Sequence, residues 1–286
     1  MKSERQDEER RLEVRVADDR DFERLKKLCD CPEGWSQAYE KPPTRVFTRP
    51  TKNSTFHMIK SALFYPATVT ALQVCTVYQD LDASVLYDVL HDPHYRRLWD
   101  KHMVTSVDVG FLNPNNDVSY YAISCPAPLK NRDFVLQRSW LDTGQELYVL
   151  NHSVFHHQYP PQKGFVRGLS HLTGYLIRPL ASGGCSFSYV SHCDPRGKLP
   201  PWLVNKLTHV LAPKMVKTLH KASVQYLAWK SHNNPNYKPW IYPEQISLPR
   251  IAFNQCTKSP ADEVDELLDE SHINEKSLPC YNQERL

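Results

Sequence analysis

The chain has 286 residues, of which 41% are hydrophobic, and its formal net charge is +3. This length and composition fit one large domain or two small ones with a substantial hydrophobic core. No apolar run approaches the roughly 18 residues of a membrane-spanning helix, and residues 1–11 are too charged for a secretory signal. We therefore predict a cytoplasmic protein that acts as a monomer.

Charge is distributed unevenly along the chain. Residues 250–286 contain four lysines and arginines against eight acidic residues, whereas the remainder has 31 basic and 24 acidic residues. A basic body with an acidic tail favours weak attraction to anionic lipid surfaces or nucleic acid, with the tail as a competitor. The eight cysteines are scattered without paired C-x-x-C motifs, so we expect free thiols and neither a metal nor another cofactor.

The N-terminal part of the chain predicts a charged arm, one helix and several strands. Residues 1–17 are charged, and we expect them to be disordered. Phe22, Leu25 and Leu28 recur at helical spacing after an acidic start, which predicts a helix over 18–28. Short strands are expected at 35–40, 44–49 and 56–60.

The stretch from Asp82 to Asp100 carries charged side chains at a suggestive spacing. Apolar residues at helical spacing predict a short helix over 83–91, with Asp82 as its N-cap and Pro93 ending it. Arg96 and Asp100 are four residues apart, so one helical turn places them side by side. Taken alone, this pair is typical of a solvated surface ion pair. The alternative is an arginine directed into an apolar interior, where it binds an anionic oxygen group while Asp100 holds it.

A long β-rich section follows. Six segments show β-branched or aromatic alternation and are separated by Asn, Pro or Gly turns: 103–111, 117–125, 133–141, 146–154, 165–178 and 185–193. Successive strands with short connections imply an antiparallel, strongly curved sheet.

The strongest helical pattern spans residues 201–230, which contain no Asp or Glu. Its apolar residues fall on one side and its lysines cluster on another, and Pro213 should kink the helix near its middle. Beyond it we predict an extended strap over 232–250 and an acidic, disordered tail over 251–286. Ser259 precedes acidic residues in this tail and is a candidate phosphorylation site that would add negative charge.

Two other classes of function find little support in the sequence. None of the 13 histidines lies in an HExxH motif, and the chain has no nucleophile elbow, P-loop or dinucleotide fingerprint. Nucleic-acid binding would use the helix lysines, but no zinc-finger or RNP-like motif accompanies them. A curved sheet closed by one amphipathic helix would instead leave room for an amphiphile with an anionic head group, which requires binding without bond making.

Three separated segments carry a family resemblance. Residues 86–100, residues 125–134 (Cys-Pro-Ala-Pro-Leu-Lys-Asn-Arg-Asp-Phe) and residues 194–206 occur in the order typical of the StAR-related lipid transfer (START) domain. Within that family the chain resembles the phosphatidylcholine transfer protein subgroup, over residues 18–250. The resemblance implies an α+β helix-grip fold: a curved, nine-stranded antiparallel sheet around a lipid tunnel, closed by the C-terminal amphipathic helix as a lid.

The resemblance also implies roles for individual residues. Arg96 would bind the lipid phosphate with support from Asp100, and Tyr121, Phe134 and His171 occupy the positions of the head-group pocket by ungapped matching. Because His171 is not one of the aromatic rings expected of a strict choline cage, a pocket that accepts both choline and ethanolamine fits better. The lid would dock on anionic membranes through Trp202, Lys206, Leu211, Lys214, Met215, Lys217 and Lys221.

The sequence thus predicts an intracellular lipid transfer protein, not an enzyme, that binds one glycerophospholipid and exchanges it between membranes. A lipid-dependent adaptor that binds phospholipid without moving it, or a lipid esterase, would share the same residues. Residues 61–74 have no counterpart in the resemblance and fall where the third strand should be. They are apolar and interrupted by Pro66, a pattern that fits an inserted strand or a loop.

Overall fold

The structure is a computed structural model that describes residues 15–50, 70–257 and 268–277. Two sequence predictions, the strand at 56–60 and the phosphorylation site Ser259, lie outside these ranges. So do most of the N-terminal arm and most of the segment 61–74.

Within the described part of the chain, nine strands form one antiparallel sheet in the order β1-β2-β3-β11-β10-β7-β6-β5-β4, and a short tenth strand, β9, pairs in parallel with β6. The strands in chain order are β1 (Ser36–Lys41), β2 (Thr44–Pro50), β3 (Thr70–Tyr78), β4 (Met103–Asn113), β5 (Asn116–Ile123), β6 (Asn131–Asp142), β7 (Leu147–Ser153), β8 (Phe155–His156), β9 (Phe165–Arg167), β10 (Leu169–Pro179) and β11 (Cys185–Asp194). The predicted nine-stranded antiparallel architecture is confirmed.

The third strand differs from its predicted position. Thr70–Tyr78 lies between β2 and β11, in the place that the sequence assigned to residues 56–60. Residues 70–74 of the predicted insertion are therefore part of the sheet. They pair with β2 in the same register as the rest of the strand.

One helix, α1 (Asp19–Asp30), covers the outer face of the sheet. Its Phe22 and Leu25 are buried there among apolar side chains of β7, β10 and β11, and the Asp18 side chain caps its first turn. This helix begins one residue later than predicted and ends two residues later.

The domain starts before the predicted boundary at residue 18. Arg15 forms two hydrogen bonds with the Asp21 carboxylate, 2.7 and 2.6 Å long, and the Gln137 side chain donates to the Arg15 carbonyl at 2.6 Å. Residues 15–17 thus contact the folded domain, contrary to the predicted start of the domain at residue 18.

Helices α2 (Ala83–His91) and α3 (Pro93–Trp99) lie against the opposite, inner face, together with the C-terminal helix. That last helix has three parts: α4 (Pro201–Lys206), a π turn (Leu207–Leu211) and α5 (Ala212–Lys230). The predicted interruption takes the form of the π turn, because Pro213 has no N–H to donate and its ring crowds the preceding turn. The inner side of α5 buries Val216, Leu219 and Tyr226 in the main core.

The strap after the last helix is not extended as predicted: it consists of turns and a short 3-10 helix (Pro243–Gln245), and it packs on the domain through Trp240, which is 8% exposed. Its indole N–H donates to Asp88 of α2 at 2.8 Å, and its carbonyl accepts from the Trp140 indole at 3.2 Å.

Residues 251–257 and 268–277 are ordered, contrary to the predicted disorder of the whole tail. Ile251 donates its N–H to the Phe111 carbonyl at 2.9 Å, and β12 (Cys256–Thr257) pairs antiparallel with β8. Residues 268–277 pack near the start of α4 through contacts with distant parts of the chain. Among the described residues, no helix is both long and apolar enough to cross a membrane.

Candidate functional site

The junction of α2 and α3 positions the predicted arginine. Asp82 makes no side-chain cap for α2, contrary to expectation. Asp92 instead caps α3, accepting hydrogen bonds from the backbone N–H groups of His94 and Tyr95 at 3.0 Å. Pro93 occupies the first turn of α3, where its missing N–H carries no cost. Pro93 therefore starts a second helix, and that helix carries Arg96.

Arg96 and Asp100 form the ion pair that their spacing predicts. Arg96 Nε lies 3.1 Å from Asp100 Oδ2, and the Tyr121 hydroxyl donates to the same oxygen at 2.8 Å. The carboxylate thus fixes both a guanidinium from α3 and a phenol from β5.

Aromatic rings surround the Arg96 guanidinium. Its central carbon lies 5.1 Å from the centroid of the Tyr121 ring and 5.8 Å from that of Trp99, distances typical of cation–π contacts. Tyr175 of β10 also faces this group, and its ring stacks on that of Tyr189 with centroids 5.2 Å apart.

The site remains charged and partly accessible. The side chain of Arg96 is 28% exposed and that of Asp100 is 12% exposed, although both lie between α3 and the sheet. Burial acts to lower the pKa of Arg96, but Tyr121, Tyr175 and Asp100 outweigh it and hold the pKa above its ordinary value. The guanidinium is therefore cationic at any physiological pH, whereas burial raises the pKa of Tyr121 and Tyr175 and keeps them neutral.

The structure brings two of the three predicted head-group residues together. Tyr121 and Phe134 are directly opposed on β5 and β6, so their side chains share one face of the sheet. The Phe134 ring packs against Gly168, where an added Cβ would lie 2.4 Å from it. Of the two, Tyr121 contacts Arg96 and Asp100.

His171 lies elsewhere. Its ring packs on that of His192, with centroids 4.7 Å apart. His192 shares a face of β11 with Val190, which belongs to the outer cluster beneath α1. The register of β10 shifts between Ser170 and Leu172, and ungapped matching cannot detect such a shift.

Sequence matching missed four residues near the site. Tyr175 and Tyr189 come from β10 and β11, and Trp99 lies one residue before Asp100. Arg138 of β6 is a second inward cation: its Nε donates to Asp117 at 3.0 Å, and its guanidinium lies 5.3 Å from the Trp140 ring. The alternation of side chains along β10 could have indicated that Tyr175 faces the site, because residues 173, 175 and 177 share one face of the strand.

The predicted membrane-docking residues separate into three groups. Lys214, Lys217 and Lys221 are exposed on α5. Leu211 and Met215 are half-buried, and Met215 packs against the main core. Trp202 and Lys206 contact residues 268–277, as described below. Apolar side chains that are exposed on this helix lie at positions the prediction omitted: Leu207, Val210, Val224 and Leu227.

Comparisons with known proteins agree with this architecture. A family model described as "START domain" matches residues 15–230. The chain is 40% identical over 266 residues to mouse START domain-containing protein 10, covering 93% of this chain and 87% of that protein. It is 29% identical over 158 residues to rat phosphatidylcholine transfer protein, covering 54% of this chain and 73% of that protein.

The fold matches solved structures as well. The crystal structure of human STARD10 superimposes with a TM-score of 0.77 at 38% identity, covering 87% of this chain and 96% of that chain. Because the family model spans most of the chain, and the fold superimposes on the solved structure of human STARD10, the chain belongs to the START domain family of lipid transfer proteins.

Proposed function

We propose that this chain binds one glycerophospholipid, phosphatidylcholine or phosphatidylethanolamine, between the sheet and the C-terminal helix, and exchanges it between membranes. The observation that carries the proposal is the Arg96 guanidinium, which is cationic and partly accessible on the inner side of the domain. We propose further that the protein acts in the cytoplasm as a monomer and touches membranes only transiently.

The donors of Arg96 suit a phosphodiester. A guanidinium carries five N–H groups, and Asp100 engages the one on Nε. Four remain on the two terminal nitrogens, more than the neighbouring Tyr175 hydroxyl can accept. A phosphate accepts two parallel N–H bonds from such a fork, and Asp100 with Tyr121 holds the fork in place.

The aromatic side chains near Arg96 suit a cationic head group. Tyr121, Tyr175 and Tyr189 are neutral phenols whose rings are half-buried near the guanidinium. Ring faces attract a quaternary ammonium, and phenol oxygens accept hydrogen bonds from a primary ammonium. The pocket we propose therefore accepts both choline and ethanolamine. The acyl chains would supply most of the affinity, at about 0.8 kcal/mol per buried CH₂.

A transfer assay between vesicles tests the proposal. Arg96→Ala should slow phosphatidylcholine transfer by about tenfold or more, because each lost charge-assisted hydrogen bond is worth roughly 1.5–3 kcal/mol. Arg97→Ala is the matched control, since Arg97 is the adjacent residue and is exposed. Native mass spectrometry of the purified protein would show a co-purified phospholipid in the parent and in the control.

Three outcomes would count against the proposal. Equal transfer by Arg96→Ala and the parent would contradict the role of the guanidinium. Phospholipid binding by the parent without transfer would instead support a lipid-dependent adaptor. Appearance of a hydrolysed lipid on incubation would support an esterase.

A further inference from the structure

Residues 268–277, here called the tail segment, lie against the start of the C-terminal helix. The Lys198 N–H donates to the Leu268 carbonyl at 2.9 Å, and the Glu270 N–H donates to the Lys198 carbonyl at 3.0 Å. Gly197 permits this approach: its φ is +73°, and an added Cβ would lie 2.7 Å from the Leu268 oxygen. The body of the domain thus has a backbone site shaped for this segment.

The tail segment has a buried anchor. Glu270 Oε2 lies 2.7 Å from Arg132 Nη2, and the Lys130 N–H donates to Glu270 Oε1 at 2.7 Å. The Glu270 side chain is 5% exposed and the Arg132 side chain is 1% exposed. Arg132 also donates to the carbonyls of Lys130, Pro195 and Arg196. Loss of Glu270 would leave Arg132 as a buried charge without a carboxylate, so this contact is expected to persist.

The outer half of the tail segment is held by weaker contacts with α4. The Trp202 indole N–H donates to the Ile273 carbonyl at 2.7 Å, and Lys206 Nζ lies 2.8 Å from Glu275 Oε1. Glu275 is 49% exposed, whereas Lys206 is only 17% exposed beneath it. Closer to the anchor, Lys198 pairs with the half-exposed Asp269 at 3.1 Å. Solvent screens such ion pairs strongly, and added salt weakens them further.

The tail segment covers Lys206 and Trp202. A cation beside an indole would also bind an anionic lipid surface. Lysines contact anionic head groups, and indoles partition into the membrane interface. The carboxylate of Glu275 and the carbonyl of Ile273 occupy the donors that such a surface would use. The tail segment and an anionic membrane would therefore compete for the same donors on α4.

We infer that the tail segment is a latch: it holds α4 closed through Ile273 and Glu275, stays tethered at Glu270, and is displaced from Trp202 and Lys206 by an anionic membrane. The effect of the latch on lipid exchange rests on the proposed transfer function. The contact itself does not, and it can be measured without lipid.

Hydrogen exchange on the full-length protein tests the latch. Glu275→Lys replaces the attraction to Lys206 with repulsion, and Glu244→Lys makes the same charge change on an exposed residue of the strap. Glu275→Lys should accelerate exchange of the amides in 201–211 by about two- to fivefold, with 216–230 unchanged. Glu244→Lys should change neither region. The buried anchor is left intact in both variants, so that each should fold.

A second measurement tests displacement by lipid. Vesicles that contain phosphatidylserine should accelerate exchange in 201–211 and 271–277 of the parent more than pure phosphatidylcholine vesicles do. Equal effects of the two vesicles, or exchange in Glu275→Lys at the parent rate, would overturn the latch. A parent that shows the expected exchange but moves no phospholipid would support the latch and contradict the proposed function.

Discussion

The two halves of the C-terminal helix are attached to the domain in different ways. The C-terminal half, α5, receives buried hydrogen bonds: Tyr78 donates to the Val216 carbonyl at 2.8 Å and Tyr95 to the Ala222 carbonyl at 2.7 Å. Asp92 pairs with Lys230 at 2.8 Å. The N-terminal half, 201–211, also buries Leu203 and Thr208, but its side-chain contacts with the tail segment include the half-exposed Glu275.

With the latch that we infer, one amphipathic helix would be fixed at one end and exchangeable at the other. Buried bonds must break without water to replace them, whereas half-exposed ion pairs exchange readily with solvent or ions. The π turn at Leu207–Leu211 ends the N-terminal half next to α5, where regular helical bonding is already interrupted. Opening for lipid exchange would therefore begin in 201–211 and leave α5 in place.

Asp92→Asn should produce the largest loss of stability. Asparagine preserves the cap of α3 but leaves the ammonium of Lys230, which is 6% exposed, without its carboxylate. We expect the free energy of unfolding to fall by about 3–5 kcal/mol in urea denaturation.

The double variant Asp92→Asn with Lys230→Met tests the cause. It removes both charges, so most of the lost free energy should return. A single variant as stable as the parent would show that the fixed end of the helix does not depend on this pair.

Acid should lower the stability of the fold through His91. This ring packs between Trp140 and Trp240, and neither of its nitrogens has a hydrogen-bond partner among the described residues. Burial, helped by Arg138, holds the pKa of His91 well below 6.5. The unfolded chain therefore takes up a proton first as pH falls below about 6.5, and each further pH unit costs about 1.4 kcal/mol until the folded protein is protonated as well.

His91→Phe should reduce the slope of unfolding free energy against pH between about 6.5 and 5 by about 1.4 kcal/mol per pH unit; His152 and His156, whose pKa values burial also lowers, keep the remaining slope. His94→Phe is the control, because His94 is exposed near the same helix junction. Urea denaturation at three pH values measures the slope. A parent whose stability is constant over this range, or a His91→Phe variant with the parent slope, would contradict the prediction.

Replacement of Lys214, Lys217 and Lys221 by glutamine should have the smallest effect on stability. All three are exposed on α5, so the free energy of unfolding should stay within about 0.5 kcal/mol of the parent. Transfer to anionic vesicles should nevertheless slow and lose part of its dependence on salt.

A matched triple variant at Lys27, Lys41 and Lys163 controls for net charge, since these lysines are exposed elsewhere. Equal slowing in the two triple variants would show that overall charge, and not the lid surface, attracts the membrane.

Local patterns predicted much of the fold and the centre of the candidate site. The four-residue spacing of Arg96 and Asp100 was sufficient because a helical turn determines that contact. The side-chain period of two predicted most strands within a few residues. What failed depended on register or on distant partners: the register shift near Ser170 takes His171 out of the site, and the local sequence does not reveal that shift.

Amino-acid composition gave the wrong prediction for residues 268–277 of the tail. An acidic, polar segment is typical of disorder, yet Glu270 is buried because Arg132, 138 residues earlier in the chain, lacks another carboxylate partner among the described residues. A charge that completes a distant buried pair cannot be recognised from its own neighbours in the sequence. The same holds for Asp92, which caps one helix and binds another.

The double role of Asp92 links two parts of the molecule energetically. One of its oxygens orients the first turn of the helix that carries Arg96, and the other accepts from Tyr226 and Lys230 at the far end of the lid. This shared carboxylate would couple the last turns of α5 to the orientation of Arg96. By thermodynamic reciprocity, a ligand that stabilises this orientation of Arg96 would then slow hydrogen exchange in the last turns of α5, and a substitution that destabilises those turns would weaken the ligand's affinity.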